Sequence, residues 1–287
     1  MADLQRNRTS VLINNYNNAP FLAQCVDSVL AQRTPADEII VYDDGSTDAS
    51  GSILQRYGPA LKIIYGPRGR GTPMENQAVA IEGAFRISSG DFIFLLDSDD
   101  AFMPDKIAVY LEAFARSPKA VVVQAPMLKI DEEGTLTGLE YDPRRHAKDY
   151  VQHIAVTQDI NIFYPTSALA FARSYFKRRI PLDVSDGLPL WPDARLTLIA
   201  PHFGEMVTLN EPHTLWRRHA RSHTVLTRTS VYEQTRMNRR FYNAYCVKNG
   251  LPRINPWRSS QQRRRWLRHI CPQFLLDLYQ LCERKMT

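Results

Sequence analysis

The chain has 287 residues, 44% apolar and 23% charged, enough for one large domain or one domain with an appendage, and this balance excludes global disorder. No apolar stretch approaches the roughly 20 residues that a membrane-spanning helix needs; Met1-Ala2-Asp3-Leu4-Gln5-Arg6 lacks the apolar core of a signal peptide, so a cytoplasmic protein is expected. The net charge of +6 is uneven: residues 215–287 carry 16 Lys and Arg against three acids, a net +13, which leaves −7 for residues 1–214.

Residues 10–14, Ser10-Val11-Leu12-Ile13-Asn14, predict a first strand. Pro20 suits the first turn of a helix whose apolar stripe is Phe21, Leu22, Cys25, Val26, Val29 and Leu30. A second strand is expected over 38–42, closed by the turn Asp43-Asp44-Gly45-Ser46, with Thr47 or Asp48 capping a helix through Tyr57. A third strand over 61–65 leads into a Gly- and Arg-rich loop at 66–71 and a helix over 74–88. The apolar run Phe92-Ile93-Phe94-Leu95-Leu96 reads as a strand buried on both faces, followed by a helix after Pro104 and a strand over 120–124. This alternation predicts right-handed crossovers and a mostly parallel sheet flanked by helices. Beyond Gln124, Asp131-Glu132-Glu133-Gly134 marks a hairpin turn; a helix over 194–200, a strand over 206–209 and a basic helical region from about Val231 follow. Cys25, Cys246, Cys271 and Cys282 form no close pair and no metal-ligand spacing, so reduced thiols are expected.

The chemistry concentrates at Asp97-Ser98-Asp99-Asp100. Three carboxylates at the carboxyl end of a buried strand are costly unless a cation neutralises them. That edge of an open α/β sheet is also where ligands bind, so a divalent cation carrying a phosphate satisfies both conditions. The plainer reading is that these acids only cap the helix after Pro104.

Three motifs in order resemble the family 2 glycosyltransferases of GT-A (Rossmann-like) fold: Val11-Leu12-Ile13-Asn14-Asn15-Tyr16-Asn17, Ile39-Ile40-Val41-Tyr42-Asp43-Asp44-Gly45-Ser46-Thr47-Asp48, and Gly90 through Asp100. The resemblance is tight over residues 10–125, looser to about 225 and absent from the tail. It implies a GT-A domain over 1–225, with a nucleotide-binding half at 1–125 and an acceptor half at 126–225, followed by a basic helical extension at 226–287. It also implies inverting, metal-dependent transfer of a sugar from a UDP-linked donor to a hydroxyl of a glycan or lipid-linked acceptor, as in cell-envelope polysaccharide biosynthesis. Nucleic acid is not an expected partner.

The resemblance assigns roles to residues. One of Asp43 and Asp44 would accept the uracil N3–H, with Ile13, Asn14 and Tyr16 beside the base; the two acids point to opposite faces and cannot share the task. Asp99 would coordinate Mn²⁺ or Mg²⁺, Asp97 would reach the ribose or a metal-bound water, and Ser98 would join the nucleotide-binding residues. Asp100 either joins them or caps the next helix. Gln77 lies on the helix that lines the donor, where Glu82 and Ala84 replace the Asn and Gly of many members and leave the sugar pocket open; Arg68 and Arg70 are candidates for phosphate. Asp193 occupies the place of the general base, with Pro192 where members carry a first acid; Asp183 and Asp186 are the fallback candidates. Trp216-Arg217-Arg218-His219 resembles the family's Tyr-Arg-x-His segment, which makes His219 a second metal or phosphate ligand aided by Arg217 or Arg218.

In the tail, Trp266, Leu267, Ile270, Phe274, Leu275, Leu278 and Leu281 recur at helical spacing behind Arg263, Arg264, Arg265 and Arg268. They fit packing on the body or an interfacial helix at an anionic inner membrane leaflet. Two rival functions remain at this stage: a non-catalytic nucleotide-sugar binder, suggested by Pro192, and a nucleotidyltransferase, disfavoured because Asn14-Asn15-Tyr16-Asn17-Asn18 contains no glycine for a phosphate loop.

Overall fold

A computed structural model describes residues 7–67, 71–222 and 231–255. In chain order the elements are β1 (Thr9–Asn15), α1 (Ala19–Leu30), β2 (Glu38–Asp43), α2 (Ser50–Gln55), β3 (Lys62–Tyr65), α3 (Pro73–Ile87) and β4 (Phe92–Asp97). There follow β5 (Ala101–Phe102), α4 (Lys106–Arg116), β6 (Ala120–Gln124), β7 (Met127–Ile130), β8 (Leu136–Glu140), α5 (Tyr150–Thr157), β9 (Leu169–Ala172) and α6 (Arg173–Arg179). The last are α7 (Pro192–Thr197), β10 (Glu205–Thr208), β11 (Thr214–Arg217) and α8 (Val231–Lys248).

A seven-stranded sheet runs β10-β6-β9-β4-β1-β2-β3, and a four-stranded sheet runs β5-β11-β7-β8. Within the large sheet every pairing is parallel except those of β9, which lies antiparallel between β4 and β6. Successive strand residues face opposite ways, so β1 and β4 feed two cores. Val11, Ile13, Phe94 and Leu96 pack with Leu22, Val26 and Val29 of α1 and Ile107 and Tyr110 of α4. Leu12, Ile93 and Leu95 pack with Ile81 and Phe85 of α3 and with Tyr242 and Cys246 of α8. The result is an α/β/α sandwich whose strand ends line up: Asn14 pairs with Asp97 on one side and Tyr42 on the other, and Asn15 pairs with Asp43.

Helix α3 begins with a capping box, Glu75 N–H donating to Thr72 Oγ1 at 3.3 Å and Thr72 N–H to the Glu75 carboxylate at 2.7 Å. Its Gly83 makes room for Tyr42, since a Cβ there would stand 2.6 Å from the ring; Gly66 clears the same phenol. Gly83→Ala is therefore expected to cost about 1–3 kcal/mol by overpacking, although alanine is the better helix former. Gly51→Ala in α2, where a Cβ meets nothing within 4 Å, should be neutral or stabilising. Denaturant midpoints of the two variants check the contrast; equal midpoints would show that the Tyr42 contact costs nothing to relieve.

Some expectations need correction. The helix expected through Tyr57 stops at Gln55 and is followed by a 3-10 turn at Gly58–Ala60, where Pro59 and the positive φ of Gly58 (52°) break the α pattern. Asp48 does accept the Ser50 N–H, at 2.9 Å, but its other oxygen takes the Ala19 N–H at 2.9 Å, so it also fastens the start of α1. The helix expected over 194–200 starts two residues earlier, at Pro192, and ends at Thr197. Helices α5 and α6, strand β9 and the second sheet as a unit have no counterpart in the sequence reading. Helix α8 sends Tyr242 and Cys246 into the core, while the Trp266–Leu281 pattern and its arginines lie outside the described residues. Among the described residues no helix is long and apolar enough to cross a membrane.

Candidate active site

The aligned ends of β1, β2 and β4 bring the motif residues together. Asp97 Oδ1 accepts from Asn14 Nδ2 at 2.9 Å and Gln77 Nε2 at 2.8 Å, and the Asp97 N–H donates to Ser167 Oγ at 3.0 Å. Burial, followed by the negative charge of Asp99, pushes the Asp97 carboxyl up to about 7 against the pull of the two amide donors. Asp193 also raises it, so the two carboxylates lie within electrostatic reach of each other. Asp100 is buried, and its carboxyl is pushed well above the usual range by burial and then by Asp99 and Asp97. Its Oδ1 accepts the Arg217 N–H at 2.8 Å, so Asp100 serves the second sheet rather than capping α4.

Asp99 is the acid of the three that meets an imidazole: its Oδ2 stands 3.1 Å from His219 Nε2. The His219 ring is buried against Phe21, centroids 4.8 Å apart, and its Nδ1 is buried with no hydrogen-bond partner among the described residues. This pair fits a hard divalent cation, because adjacent ligands of an octahedral ion about 2.1 Å away lie about 3 Å apart. Among the described residues no cluster of three or more His, Cys, Asp or Glu could hold a metal. The protein would then supply two ligands and leave the rest of the shell to water and substrate phosphates, the usual arrangement for Mg²⁺-type ions.

At the end of β2, Asp43 Oδ1 accepts from Asn15 Nδ2 at 2.7 Å and Ser46 Oγ at 2.5 Å. Asp44 has no side-chain hydrogen bond among the described residues, and burial followed by the charge of Asp43 raises its carboxyl. Ile13 is buried beneath this edge, Asn14 is half-buried and Tyr16 is 42% exposed. Asn17 adopts a left-handed φ of 51°, and its Oδ1 takes the Thr47 N–H at 2.8 Å, tying the two strand-end loops together.

Asp193 sits in the first turn of α7, half-buried, accepting the Ala194 N–H at 2.6 Å and the Thr166 hydroxyl at 3.4 Å. Burial pushes its carboxyl up to about 6, opposed by those two donors. The fallback acids are committed elsewhere. Asp186 forms a bidentate pair with the buried Arg195, at 2.7 and 2.8 Å, and Asp183 accepts the Ser185 N–H at 2.9 Å. Arg195 also donates to the carbonyls of Asp183 at 2.6 Å and Leu188 at 2.7 Å, so it fastens the preceding loop to the helix that carries Asp193.

Ser98 and Arg217 stand differently from the sequence reading. Ser98 is fully buried and its hydroxyl takes the Asn18 amide at 2.9 Å, so it reaches no open surface. Arg217 turns inward, donating to the carbonyls of Asp99 at 3.0 Å, Asp131 at 2.8 Å and Glu132 at 2.9 Å and to the Gln24 side chain; it braces the aspartate loop, whereas the Arg218 guanidinium lies over Trp216 at 4.7 Å. Arg68 and Arg70 lie outside the described residues. Glu82 explains its own departure from the family pattern: its carboxylate holds the Leu182 N–H at 2.5 Å, facing the loop before α7. Sequence reasoning missed Thr166 and Ser167, which contact Asp193 and Asp97 across 27 and 70 positions and carry no signal beyond an ordinary turn.

The family model of glycosyl transferase family 2 matches residues 10–179. An uncharacterized glycosyltransferase of Nostoc is 27% identical over 269 residues, which cover 90% of this chain and 81% of that protein. Staphylococcus aureus TarS 1–349, solved in complex with UDP-GlcNAc, superposes with a TM-score of 0.61 at 14% identity, covering 91% of this chain and 72% of TarS. The mannosyltransferase PcManGT of Pyrobaculum calidifontis, solved with GDP-Man and Mn²⁺, superposes with a TM-score of 0.58 at 19% identity, covering 96% of this chain and 79% of that one.

Proposed function

This chain belongs to glycosyl transferase family 2 and is a glycosyltransferase of GT-A fold, and we propose that it carries out a metal-dependent, inverting transfer from a UDP-sugar to a hydroxyl of a glycan or lipid-linked acceptor. The observation that carries this reading is the pairing of Asp99 with His219 at 3.1 Å, on the strand edge where Asp97 and the Asp43–Asp44 turn also end. Asp44, with no protein donor on its carboxylate among the described residues, is the acid free to accept the uracil N3–H, a contact that cytosine, with an unprotonated N3, does not offer. Asp43 holds Asn15 and Ser46 instead and shapes the turn. Asn14 and Gln77 orient the Asp97 carboxylate toward the ribose.

Asp99 and His219 would hold Mn²⁺ or Mg²⁺, and PcManGT, solved with Mn²⁺ and its nucleotide sugar, supports a divalent ion in this fold. Bound there, the ion supplies positive charge against the diphosphate as it departs. Asp193 takes the proton from the acceptor hydroxyl, whose oxygen attacks the anomeric carbon on the face opposite the leaving group. With its carboxyl at about 6, Asp193 is ionised at neutral pH yet more basic than an ordinary aspartate. No covalent sugar–enzyme species is needed, because one displacement both forms and breaks the bonds.

A thermal-shift screen of nucleotide sugars with and without Mn²⁺, followed by measurement of UDP release, tests the reading. A ligand at 100 times its dissociation constant stabilises the folded form by about 2.7 kcal/mol, or roughly 4–5 °C for a chain of this size. UDP and a UDP-sugar should give that shift only with the metal, and one UDP-sugar should release UDP. The absence of any metal-dependent UDP shift would overturn the reading.

A further inference from the structure

Lys106 opens α4 with no exposed surface, a place where an ammonium is rarely found without a charged partner. Among the described residues its Nζ donates to uncharged oxygens, the Ser167 carbonyl at 2.6 Å and Thr214 Oγ1 at 2.7 Å. It also lies 4.3 Å from the Phe102 ring centroid and 4.7 Å from that of Tyr110. Thr214 Oγ1 donates to the same Ser167 carbonyl at 3.1 Å, and the Tyr110 hydroxyl donates to the Ala168 carbonyl at 2.7 Å. Three hydrogen bonds from α4 and β11 thus converge on one short 3-10 turn, Thr166–Ala168.

The other side of that turn faces the site. Ser167 Oγ takes the Asp97 N–H at 3.0 Å, and Thr166 donates to Asp193 at 3.4 Å. One three-residue turn therefore touches both the aspartate loop and the candidate base. Burial lowers the tendency of Lys106 to hold its proton, and the charge of Asp100 opposes that effect. Space-filling alone does not call for a lysine, because a well-packed apolar residue in place of a buried charge is commonly neutral or stabilising.

We propose that Lys106 is a positioning residue for the transfer reaction, its ammonium clamping the Thr166–Ala168 turn so that Asp97 on one side and Asp193 on the other keep one spacing. The inference rests on the functional reading above. Misplacement of reacting groups by about 1 Å can cost about 100-fold in rate, so a loosened turn should appear in kcat before it appears in folding.

The test compares full-length wild type, Lys106→Met and Thr214→Val for kcat and donor KM with the UDP-sugar that turns over, and for Tm with and without UDP and Mn²⁺. Lys106→Met should lower kcat by about 10- to 100-fold with donor KM within about threefold, at an unchanged or raised Tm. Thr214→Val, which removes one of the two ammonium acceptors at nearly constant volume, should lower kcat by a smaller factor, about three- to tenfold. A folded Lys106→Met protein with wild-type kcat overturns the inference. So does a loss of kcat that merely follows a falling Tm and a lost UDP–Mn²⁺ shift, which is the mark of a purely structural lysine. Should Lys106→Met fail to fold, Thr214→Val decides, and wild-type kcat there overturns the inference. A wild type without turnover removes the functional reading and this inference together, whereas an active wild type with unimpaired variants removes the inference alone.

Discussion

Asp193→Asn is expected to lower kcat by about 10²–10⁴-fold, the range a positioned general base contributes, with UDP–Mn²⁺ binding unchanged. The substitution keeps the size of the side chain and an oxygen for the Ala194 N–H, so α7 should still form. What disappears is the group that accepts the acceptor's proton. In the wild type, kcat/KM should fall as the pH drops through about 6, where burial places this carboxyl, and the variant should lack that limb. The linkage has a definite sign. A carboxyl whose folded-state pKa lies above its unfolded value binds its proton more tightly when folded, so it favours folding at low pH and costs stability as pH rises from about 4 through about 6. At pH 7 the amide should therefore be as stable as the acid or more so, by at most about 3 kcal/mol before solvent screening reduces the figure. If Asp193 were only a helix cap, the variant would keep its activity or would lose stability and activity together. Steady-state kinetics from pH 5 to 8 and a denaturant titration at pH 7 separate these outcomes.

Asp99→Ala should abolish the metal-dependent part of UDP binding and lower kcat/KM by about 10²–10⁴-fold, since charge stabilisation by a bound ion contributes several kcal/mol. His219 alone would remain to hold the ion, and a single imidazole is a poor site for Mg²⁺-type cations. The metal-free protein should not suffer. Asp99 is the largest charge raising the carboxyl of both Asp97 and Asp100, so its removal relieves repulsion between them. An unchanged or raised Tm without ligand, together with a lost Mn²⁺-dependent UDP shift, is the expected pair of results. A full shift in Asp99→Ala would place the nucleotide or the metal elsewhere.

Residues 1–125 were largely legible in the sequence because their signals are local. Continuous apolar runs marked β1, β2 and β4, and Asp-Gly and Asp-x-Asp motifs stood where those strands end. Parallel pairing in register then required only that the runs lie side by side, which their burial on both faces already implied. Residues 126–225 resisted because their elements are short and their decisive contacts are remote. Strand β9 has four residues and becomes a strand because β4 and β6 flank it. Arg217 reads as one of two neighbouring arginines in sequence, and its inward turn depends on carbonyls of Asp99, Asp131 and Glu132, 85 to 118 positions away.

Which of the candidate bases stood free could not be read from spacing either. Asp183, Asp186 and Asp193 lie within ten positions of one another, and remote or local partners separate them: the buried Arg195 guanidinium captures the Asp186 carboxylate, Ser185 holds that of Asp183, and Asp193 takes the Ala194 N–H and the Thr166 hydroxyl. By itself the chain determined its α/β class, the ends of β1, β2 and β4 and the carboxylates placed there, because hydrophobic periodicity and turn chemistry act over a few residues. Tertiary structure decided which acids are spent on scaffolding, which arginine faces inward and where Lys106 is buried, because burial and hydrogen-bond competition arise only once distant segments share the same space.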